Sequence, residues 1–175
     1  MKTRDFSFEL PEELIAQRPA DRREEARLLV LDRSTGRRRH DLVHELPRYL
    51  QPGSLLVLND TRVRKARFVA ERTDTGGAAE FLLVEQVDDT QWWAITNRGK
   101  RAKPGVRFRF PEGRTARVTE TDRERRLLEF DRSTGEDYLD RAGRVPLPPY
   151  IRRPDDAEDA KRYQTVYART VGSVA

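Results

Sequence analysis

The middle of the chain carries short runs in which apolar and polar residues alternate, with turn residues beside them. The runs are EFLLVEQV, QWWAITN, VRFRF, RTARVTE and RLLEFD, all between residues 80 and 131. Turn residues stand at Gly76-Gly77, Asp88-Asp89, Pro104-Gly105 and Pro111-Glu112-Gly113. In VRFRF the apolar residues alternate with Arg107 and Arg109, so one face of this strand is expected to be buried and the other basic. Short strands at this spacing predict a small antiparallel barrel or sandwich.

The first third of the chain follows a different pattern. FSFEL at 6–10 predicts a short strand, and Pro11 followed by two glutamates predicts a short helix to about Gln17. RLLVLDRSTGRRRH at 27–40 predicts a strand, a turn and a strand, and 42–50 predicts a short helix or helical turn despite Pro47. The continuous apolar run SLLVL at 54–58 predicts a strand buried on both faces of a sheet.

The last part of the chain returns to mixed elements. A short helix is predicted around 136–142, followed by an extended proline segment, VPLPPYIRRP at 145–154, and a charged helix in DDAEDAKRY at 155–163. The strand-rich block, from about Val69 to residue 145, is therefore interpreted as an insertion between segments of another architecture.

Composition narrows the possible functions. No apolar run approaches the ~20 residues of a membrane helix, and Asp5 and Glu9 interrupt the N-terminus, so it is not a secretory signal. With no cysteine, disulfides and thiolate metal sites are excluded, and we expect a soluble cytoplasmic protein. The net charge is +5, and lysine supplies only five of the 35 basic residues. Arginine suits phosphate recognition, but we favour a GC-rich genome as the source of this bias.

Polar residues directly follow the predicted strand 54–58. They are Asn59, Asp60, Thr61 and Arg62. Open α/β sheets bind ligands beyond the C-terminal ends of their strands. Asn and Thr can hydrogen-bond ribose or base edges, Asp60 can accept from hydroxyls or pair with a cation, and Arg62 can meet a carboxylate or phosphate. Asn-Asp is equally common in turns, and spacing alone does not decide between a site and a turn.

Aromatic residues mark two further candidate segments. Pro148-Pro149-Tyr150 is stiff and extended, and could hold an aromatic face against a flat ligand or simply connect two domains. Tyr163 and Tyr167 would share one face of a continued helix. Their rings could pack on a nucleobase or attract a sulfonium, although two such tyrosines are more often core residues.

Basic and metal-binding patterns are weaker. Lys100, Arg101 and Lys103 form a loop suited to phosphate contact, although we favour a solvated loop when this cluster is taken alone. His40 and His44 have the spacing of a metal pair on a helix. Because no third ligand follows at a recognisable spacing, we expect no metal site.

Four segments, in order and at compatible spacing, resemble the S-adenosylmethionine:tRNA ribosyltransferase-isomerase family of queuosine biosynthesis. They are FELPEELIAQRPADRREEARLLVLDRSTG at 8–36, PGSLLVLNDTRVRKARF at 52–68, PLPPYIRRPD at 146–155, and YQTVYA followed by GSVA at 163–175. NDTRV alone would be a weak signal, whereas the whole series covers essentially the entire chain and is specific. In the family the GSVA-like run continues into a long C-terminal half, so we expect this chain to be the N-terminal portion of a longer enzyme.

The resemblance implies an α/β plus β fold: a partial α/β domain with an inserted antiparallel β-barrel domain. The corresponding domains are 1–68 for the N-terminal part of the α/β domain, 69–145 for the barrel and 146–175 for the truncated return into the α/β domain. It also implies transfer and isomerisation of the ribosyl moiety of S-adenosylmethionine onto the aminomethyl group of 7-aminomethyl-7-deazaguanine at the tRNA wobble position. The product is epoxyqueuosine, and adenine and methionine are released.

The resemblance further suggests roles for individual residues. Asp60 and Arg62 are the catalytic candidates, with Asp60 as acid/base or sulfonium partner. The substrate-binding candidates are Asn59, Thr61, Arg67, Tyr150, Tyr163, Gln164, Thr165, Tyr167 and Ser173. Lys100, Arg101 and Lys103 are the tRNA-binding candidates. S-adenosylmethionine is a co-substrate, no bound cofactor is expected, and the enzyme is expected to be a monomer that acts on tRNA away from membranes. The alternative is a non-catalytic RNA-binding β-barrel module, and the 175-residue chain alone is expected to show little or no turnover.

Overall fold

The computed structural model describes residues 2–172 of the chain, which fall into two compact units. The first unit runs to Leu58 and also contains Pro148–Arg153. The second unit comprises Asn59–Leu147 and the residues from Pro154 onward. Within 2–172, no helix has both the length and the apolar character needed to cross a bilayer.

The first unit is built around a β-hairpin. Strands β1 (Arg27–Leu31) and β2 (Arg38–Leu42) pair antiparallel, with Leu29 opposite His40. The Asp32 carboxylate accepts hydrogen bonds from the Ser34 hydroxyl and from the backbone N–H groups of Thr35 and Ser34, and these bonds lower the pKa of Asp32. The predicted strand, turn and strand are confirmed. The other regular segments of this unit are short 3₁₀ helices at Thr3–Phe6, Glu12–Leu14, Arg23–Glu25 and Val43–Tyr49.

Two strands predicted in the first unit are wrong. Residues 6–10 are not a strand, and the apolar run 54–58 is an unpaired, exposed segment, with Leu55 88% and Val57 81% exposed. A strand needs a neighbour for its backbone N–H and C=O groups, and nothing within residues 2–172 pairs with either segment. None of the described residues of this unit is fully buried. The apolar residues of the unit therefore have no hydrophobic core to pack against.

The second unit contains a closed antiparallel barrel of six strands. Strand β3 (Thr61–Arg62) precedes the barrel. The barrel strands are β4 (Arg67–Arg72), β5 (Ala78–Gln86), β6 (Gln91–Thr96), β7 (Arg107–Arg109), β8 (Thr115–Asp122) and β9 (Arg125–Phe130). Their order around the barrel is β4-β5-β6-β9-β8-β7, and β7 closes onto β4. The predicted antiparallel barrel is confirmed.

Alternation of side chains explains the barrel core. Phe108 and Phe110 are buried while Arg107 and Arg109 are exposed, as predicted for this strand. Trp92 is fully buried, and its indole N–H donates to the Thr134 carbonyl at 2.7 Å. Burial of each large apolar side chain contributes about 1.5–3 kcal/mol. Such a core makes the barrel the stable part of the described chain.

A helix closes one side of this core. Helix α1 (Glu136–Ala142) confirms the helix predicted at 136–142. Its Tyr138 ring stacks on Phe68 with 5.3 Å between ring centroids, and the hydroxyl donates to the Pro111 carbonyl at 3.1 Å. Gly143, just after the helix, lies so close to Lys65 that an added Cβ would be 1.7 Å from the Lys65 carbonyl oxygen.

The end of the described chain contains little regular secondary structure. Helix α2 (Asp159–Arg162) is shorter than the helix predicted over 155–163. Strand β10 (Thr170–Val171) pairs in parallel with β3. This small parallel pair is the one element of α/β character in the part of the chain that the structure describes, and the complete α/β domain and the domain boundaries remain predictions.

Candidate active site

Two segments that are far apart in sequence meet at the parallel pair β3–β10. Thr61 lies opposite Thr170, and Arg62 lies opposite Val171. The Asp60 carbonyl accepts from the backbone N–H groups of Arg169 and Thr170, at 2.7 and 3.2 Å. The NDTRV and QTVYARTVG motifs therefore form one local structure.

Gln164 adds a second connection between these segments. Its amide oxygen accepts from the Val63 N–H, and its amide nitrogen donates to the Val63 carbonyl, both at 2.8 Å. The side chain thus satisfies both backbone groups of one residue, as a neighbouring strand would. In this structure the Gln164 amide orders the backbone that follows Arg62.

Gly172 makes the close approach at the end of β10 possible. A Cβ at this position would lie 2.1 Å from the Thr61 methyl group. Since real contacts of this kind do not fall below about 3 Å, even alanine would force Thr61 or the strand to move. The glycine of the GSVA-like run is therefore explained by packing against the candidate site.

The polar residues after the apolar run divide into two groups. The Asn59 side-chain oxygen accepts from the Thr61 N–H at 2.9 Å, which is the turn geometry that Asn often adopts. Asp60 and Arg62 are exposed, and no side-chain partner for either carboxylate or guanidinium is found within residues 2–172. A free carboxylate and a free guanidinium, two positions apart on an ordered backbone, are therefore available to a ligand.

Arg67 on β4 is only partly buried, and neighbouring carboxylates engage it. Its guanidinium makes two hydrogen bonds to Glu80, at 2.7 and 2.9 Å, and lies 3.9 Å from Asp155. The bond to Glu80 raises the pKa of Arg67 above its usual value. These carboxylates hold Arg67 in place structurally, and its role in substrate binding stays a prediction.

The tyrosines predicted to line the pocket are not on one helix face. Helix α2 ends at Arg162, so Tyr163 follows the helix and Tyr167 lies in a separate turn, where it is 47% exposed. The Thr165 hydroxyl accepts from the Tyr167 N–H at 3.2 Å and shapes this turn. Ser173 lies outside the described residues.

Tyr150 belongs to the first unit and is 55% exposed. Gln17 organises the segment around it: its side chain donates to the Tyr150 carbonyl at 3.1 Å and accepts from the Arg152 N–H at 2.7 Å. The Gln17 carbonyl also accepts from the Arg153 side chain at 2.9 Å. Sequence reasoning did not single out Gln17, although it stands in the AQRP part of the family-like opening.

The basic candidates lie in a loop after β6. Lys100, Arg101 and Lys103 are all exposed there. His40 lies on β2 and His44 on a 3₁₀ helix, so the two do not form a pair on an α-helix. In the described part of the chain, no three His, Cys, Asp or Glu residues are grouped so as to hold a metal ion.

Comparisons with known proteins agree on one family. A family model described as queuosine biosynthesis protein matches residues 3–175. Proteins named S-adenosylmethionine:tRNA ribosyltransferase-isomerase from Acetivibrio thermocellus and Clostridioides difficile are 47% and 45% identical, over 100% of this chain and 52% of their own length. The chain thus spans about half the length of the curated relatives it matches. A crystal structure of an S-adenosylmethionine tRNA ribosyltransferase from Thermotoga maritima shares 29% identity, with a TM-score of 0.39, over 96% of this chain and 56% of that one.

Proposed function

Because this chain belongs to the queuosine biosynthesis protein family, we propose that it forms part of an S-adenosylmethionine:tRNA ribosyltransferase-isomerase. Relatives with this name match its full length at 42–47% identity. We place the reaction in the cytoplasm, with a monomeric enzyme that uses S-adenosylmethionine as co-substrate.

The proposed reaction joins two substrates. The ribosyl moiety of S-adenosylmethionine is transferred to the aminomethyl group of 7-aminomethyl-7-deazaguanine at the tRNA wobble position and isomerised. Epoxyqueuosine forms on the tRNA, and adenine and methionine leave. The sulfonium acidifies the neighbouring C5′ hydrogens, so a well-placed base can begin the rearrangement by removing one of them. The target base must also leave the stack of the anticodon loop to react.

The observation that carries the assignment of roles is the contrast between ordered backbone and free side chains at 60–62. Backbone hydrogen bonds from Arg169 and Thr170 hold the Asp60 carbonyl, while its carboxylate remains available. We assign Asp60 as proton acceptor or sulfonium partner, and Arg62 as the group that meets a substrate carboxylate or phosphate. Asn59, Thr61, Arg67, Tyr150, Tyr163, Gln164, Thr165, Tyr167 and Ser173 are the residues proposed to shape or line the pocket.

The test compares the intact gene product with the 175-residue chain. Each is incubated with S-adenosylmethionine and tRNA that carries 7-aminomethyl-7-deazaguanine, and the digested nucleosides are analysed by mass spectrometry. We expect epoxyqueuosine from the intact protein and little or none from the chain alone. If a folded intact protein makes no product, the enzyme assignment is wrong.

The same assay tests Asp60. We expect Asp60→Asn to lower the rate by about 10²-fold or more, as loss of a general acid or base does. Asp137→Asn is the matched control, because Asp137 is an exposed aspartate on α1 and is not assigned to the site. Equal rates for the two variants would remove Asp60 from the chemistry.

The basic loop on the barrel supports one alternative, a non-catalytic RNA-binding module. This alternative predicts RNA binding that weakens with salt and does not depend on S-adenosylmethionine. It becomes the leading proposal if the intact protein binds tRNA but forms no modified nucleoside.

A further inference from the structure

The basic loop after β6 is ordered by its own backbone. The Arg98 carbonyl accepts from the N–H groups of Arg101 and Ala102, at 2.8 and 3.1 Å. Ala102 is fully buried, while the side chains of Arg98 and Arg101 are exposed. The side chains of Arg98 and Arg101 therefore extend from a hydrogen-bonded turn. A loop held only by solvent would lack these backbone bonds.

A buried arginine, Arg126, forms hydrogen bonds to the backbone of this loop. Arg126 on β9 is only 7% exposed, and its guanidinium donates to the Ala102 carbonyl at 2.7 Å and the Gly99 carbonyl at 2.9 Å. It also donates to the carbonyls of Arg123 and Arg125. An added Cβ on Gly99 would be 2.9 Å from this guanidinium, so glycine permits the close approach.

Arg126 has no carboxylate partner in the described part of the chain. Neutral carbonyls satisfy its hydrogen bonds but do not cancel its charge. A buried charge without a counter-charge is costly. An anion bound at the adjacent surface would offset that cost, and its own binding would be strengthened by the low dielectric around Arg126.

A pocket of about 250 Å³ lies beside this loop at the end of the barrel. Arg72, Arg98 and Arg101 line it, together with Thr75 and the apolar surface of Phe108. Asp74 binds the Arg72 side chain through two hydrogen bonds, at 2.7 and 2.9 Å. Neither Arg98 nor Arg101 has a carboxylate partner among residues 2–172, so two guanidinium groups are available to a ligand.

We propose that this pocket, which we call the rim arginine pocket, binds a backbone phosphate of RNA through Arg98 and Arg101, with Arg126 as the positioning residue. Guanidinium groups match the geometry of phosphate oxygens. Lys100 and Lys103 extend the positive charge along the same loop, which fits a chain of phosphates better than a single free anion. The proposal rests on the proposed function for its ligand, tRNA, and specifies where the barrel would contact it.

The experiment measures binding of a tRNA transcript to the 175-residue chain as the salt concentration is varied. Arg98→Ala/Arg101→Ala is expected to weaken binding and to reduce the slope of log K against log salt by about 1, since loss of one phosphate contact removes about 0.9. The control Arg117→Ala/Arg141→Ala loses the same charge from two exposed ion pairs that do not line the pocket. This control is expected to keep the wild-type slope.

A second variant tests the positioning role. Arg126→Lys keeps the positive charge but cannot reach several carbonyls as the guanidinium fork does. We expect weaker tRNA binding, together with faster amide hydrogen exchange at Arg101 and Ala102. Thermal unfolding of the variant is measured in parallel, so that tRNA binding is compared only at temperatures at which the variant is folded.

Three outcomes would overturn the proposal. These are wild-type binding and slope in Arg98→Ala/Arg101→Ala, an equal loss in the Arg117→Ala/Arg141→Ala control, and absence of tRNA binding by the wild-type chain. A further experiment adds inorganic phosphate at the same ionic strength as a sodium chloride control. If phosphate displaces more tRNA than sodium chloride does, the pocket is a small-anion site instead. Product formation by the intact gene product is measured separately, so failure of this pocket is distinguishable from failure of the proposed function.

Discussion

Single polar side chains order the backbone at several points where strands are short or absent. Gln164 satisfies both backbone groups of Val63, which lies 101 positions away in the sequence. Gln17 and Arg126 act similarly on the segments 150–153 and 99–102. Each lost bond of this type costs about 1 kcal/mol or more when a buried partner is left unsatisfied. Such residues determine where the candidate site and the basic loop are held.

These supporting residues could not be identified from local sequence patterns. Asn59 and Asp60 stand beside an apolar run and have a recognisable position. Arg126, in contrast, alternates with Leu128 and Phe130, so the pattern places a charged residue on their buried face, and the structure buries it there. The distant loop whose carbonyls satisfy this guanidinium leaves no trace in spacing or charge.

Tyr138 predicts a measurable pH dependence of stability. Burial raises the pKa of Tyr138 to about 12 from its ordinary value of 10.0. Below pH 10 the phenol is protonated in both folded and unfolded chains, so its contribution is complete. Between pH 10 and 12 the unfolded chain loses this proton first, and the free energy of unfolding falls. We expect a loss of about 1 kcal/mol from this group between pH 9 and pH 11.

The control for Tyr138 is Tyr138→Phe, measured by urea unfolding at both pH values. The variant loses the hydrogen bond to Pro111, at a cost of about 1 kcal/mol at pH 9. It lacks the titrating phenol, so the difference between wild type and variant should shrink at pH 11. A constant difference at the two pH values would show that Tyr138 does not carry the shift.

At the scale of elements, the sequence predicted strands correctly where the pairing partner of a strand lies nearby in the sequence. The strands of the barrel alternate, are joined by clear turns and each pair with at least one sequence neighbour, and the hairpin β1–β2 has the same property. The run FSFEL at 6–10 also alternates, yet Phe6, Phe8 and Leu10 are exposed in the structure. Alternation shows which face of a strand would be apolar, but it does not supply the neighbouring strand that makes the strand form.

The exposed run 54–58 predicts self-association of this chain. Unpaired backbone with exposed Leu55, Leu56 and Val57 resembles an open sheet edge, which tends to pair with other chains. We expect Leu55→Asp/Val57→Asp to reduce concentration-dependent light scattering. The free energy of unfolding of the barrel should change by less than about 0.5 kcal/mol, because both side chains are already in water.

Leu83→Asp is the contrasting control for that experiment. Leu83 is 1% exposed in the barrel core, so an unpaired carboxylate there should destabilise the barrel strongly. If Leu55→Asp/Val57→Asp destabilises the barrel to a similar extent, the run 54–58 is packed in solution and its exposure in this structure is contradicted.

At the scale of the whole molecule, the two units differ in how far they are complete. The second unit has a closed barrel and a continuous aromatic core. The first unit contains no fully buried residue among those described, although its sequence is rich in leucine. The order of the motifs and their resemblance to the family identified that family, because both can be recognised from the sequence alone. The complete α/β architecture could not be derived, because no strand within residues 2–172 pairs with the apolar run 54–58.

The most direct test of the central claim follows the carbon atoms of S-adenosylmethionine. The intact gene product is incubated with tRNA that carries 7-aminomethyl-7-deazaguanine and with S-adenosylmethionine labelled either in the ribose or in the methyl group. The account predicts that ribose label enters the tRNA nucleoside while methyl label leaves with methionine. Transfer of the methyl label to tRNA, or of neither label by a folded protein, would contradict it.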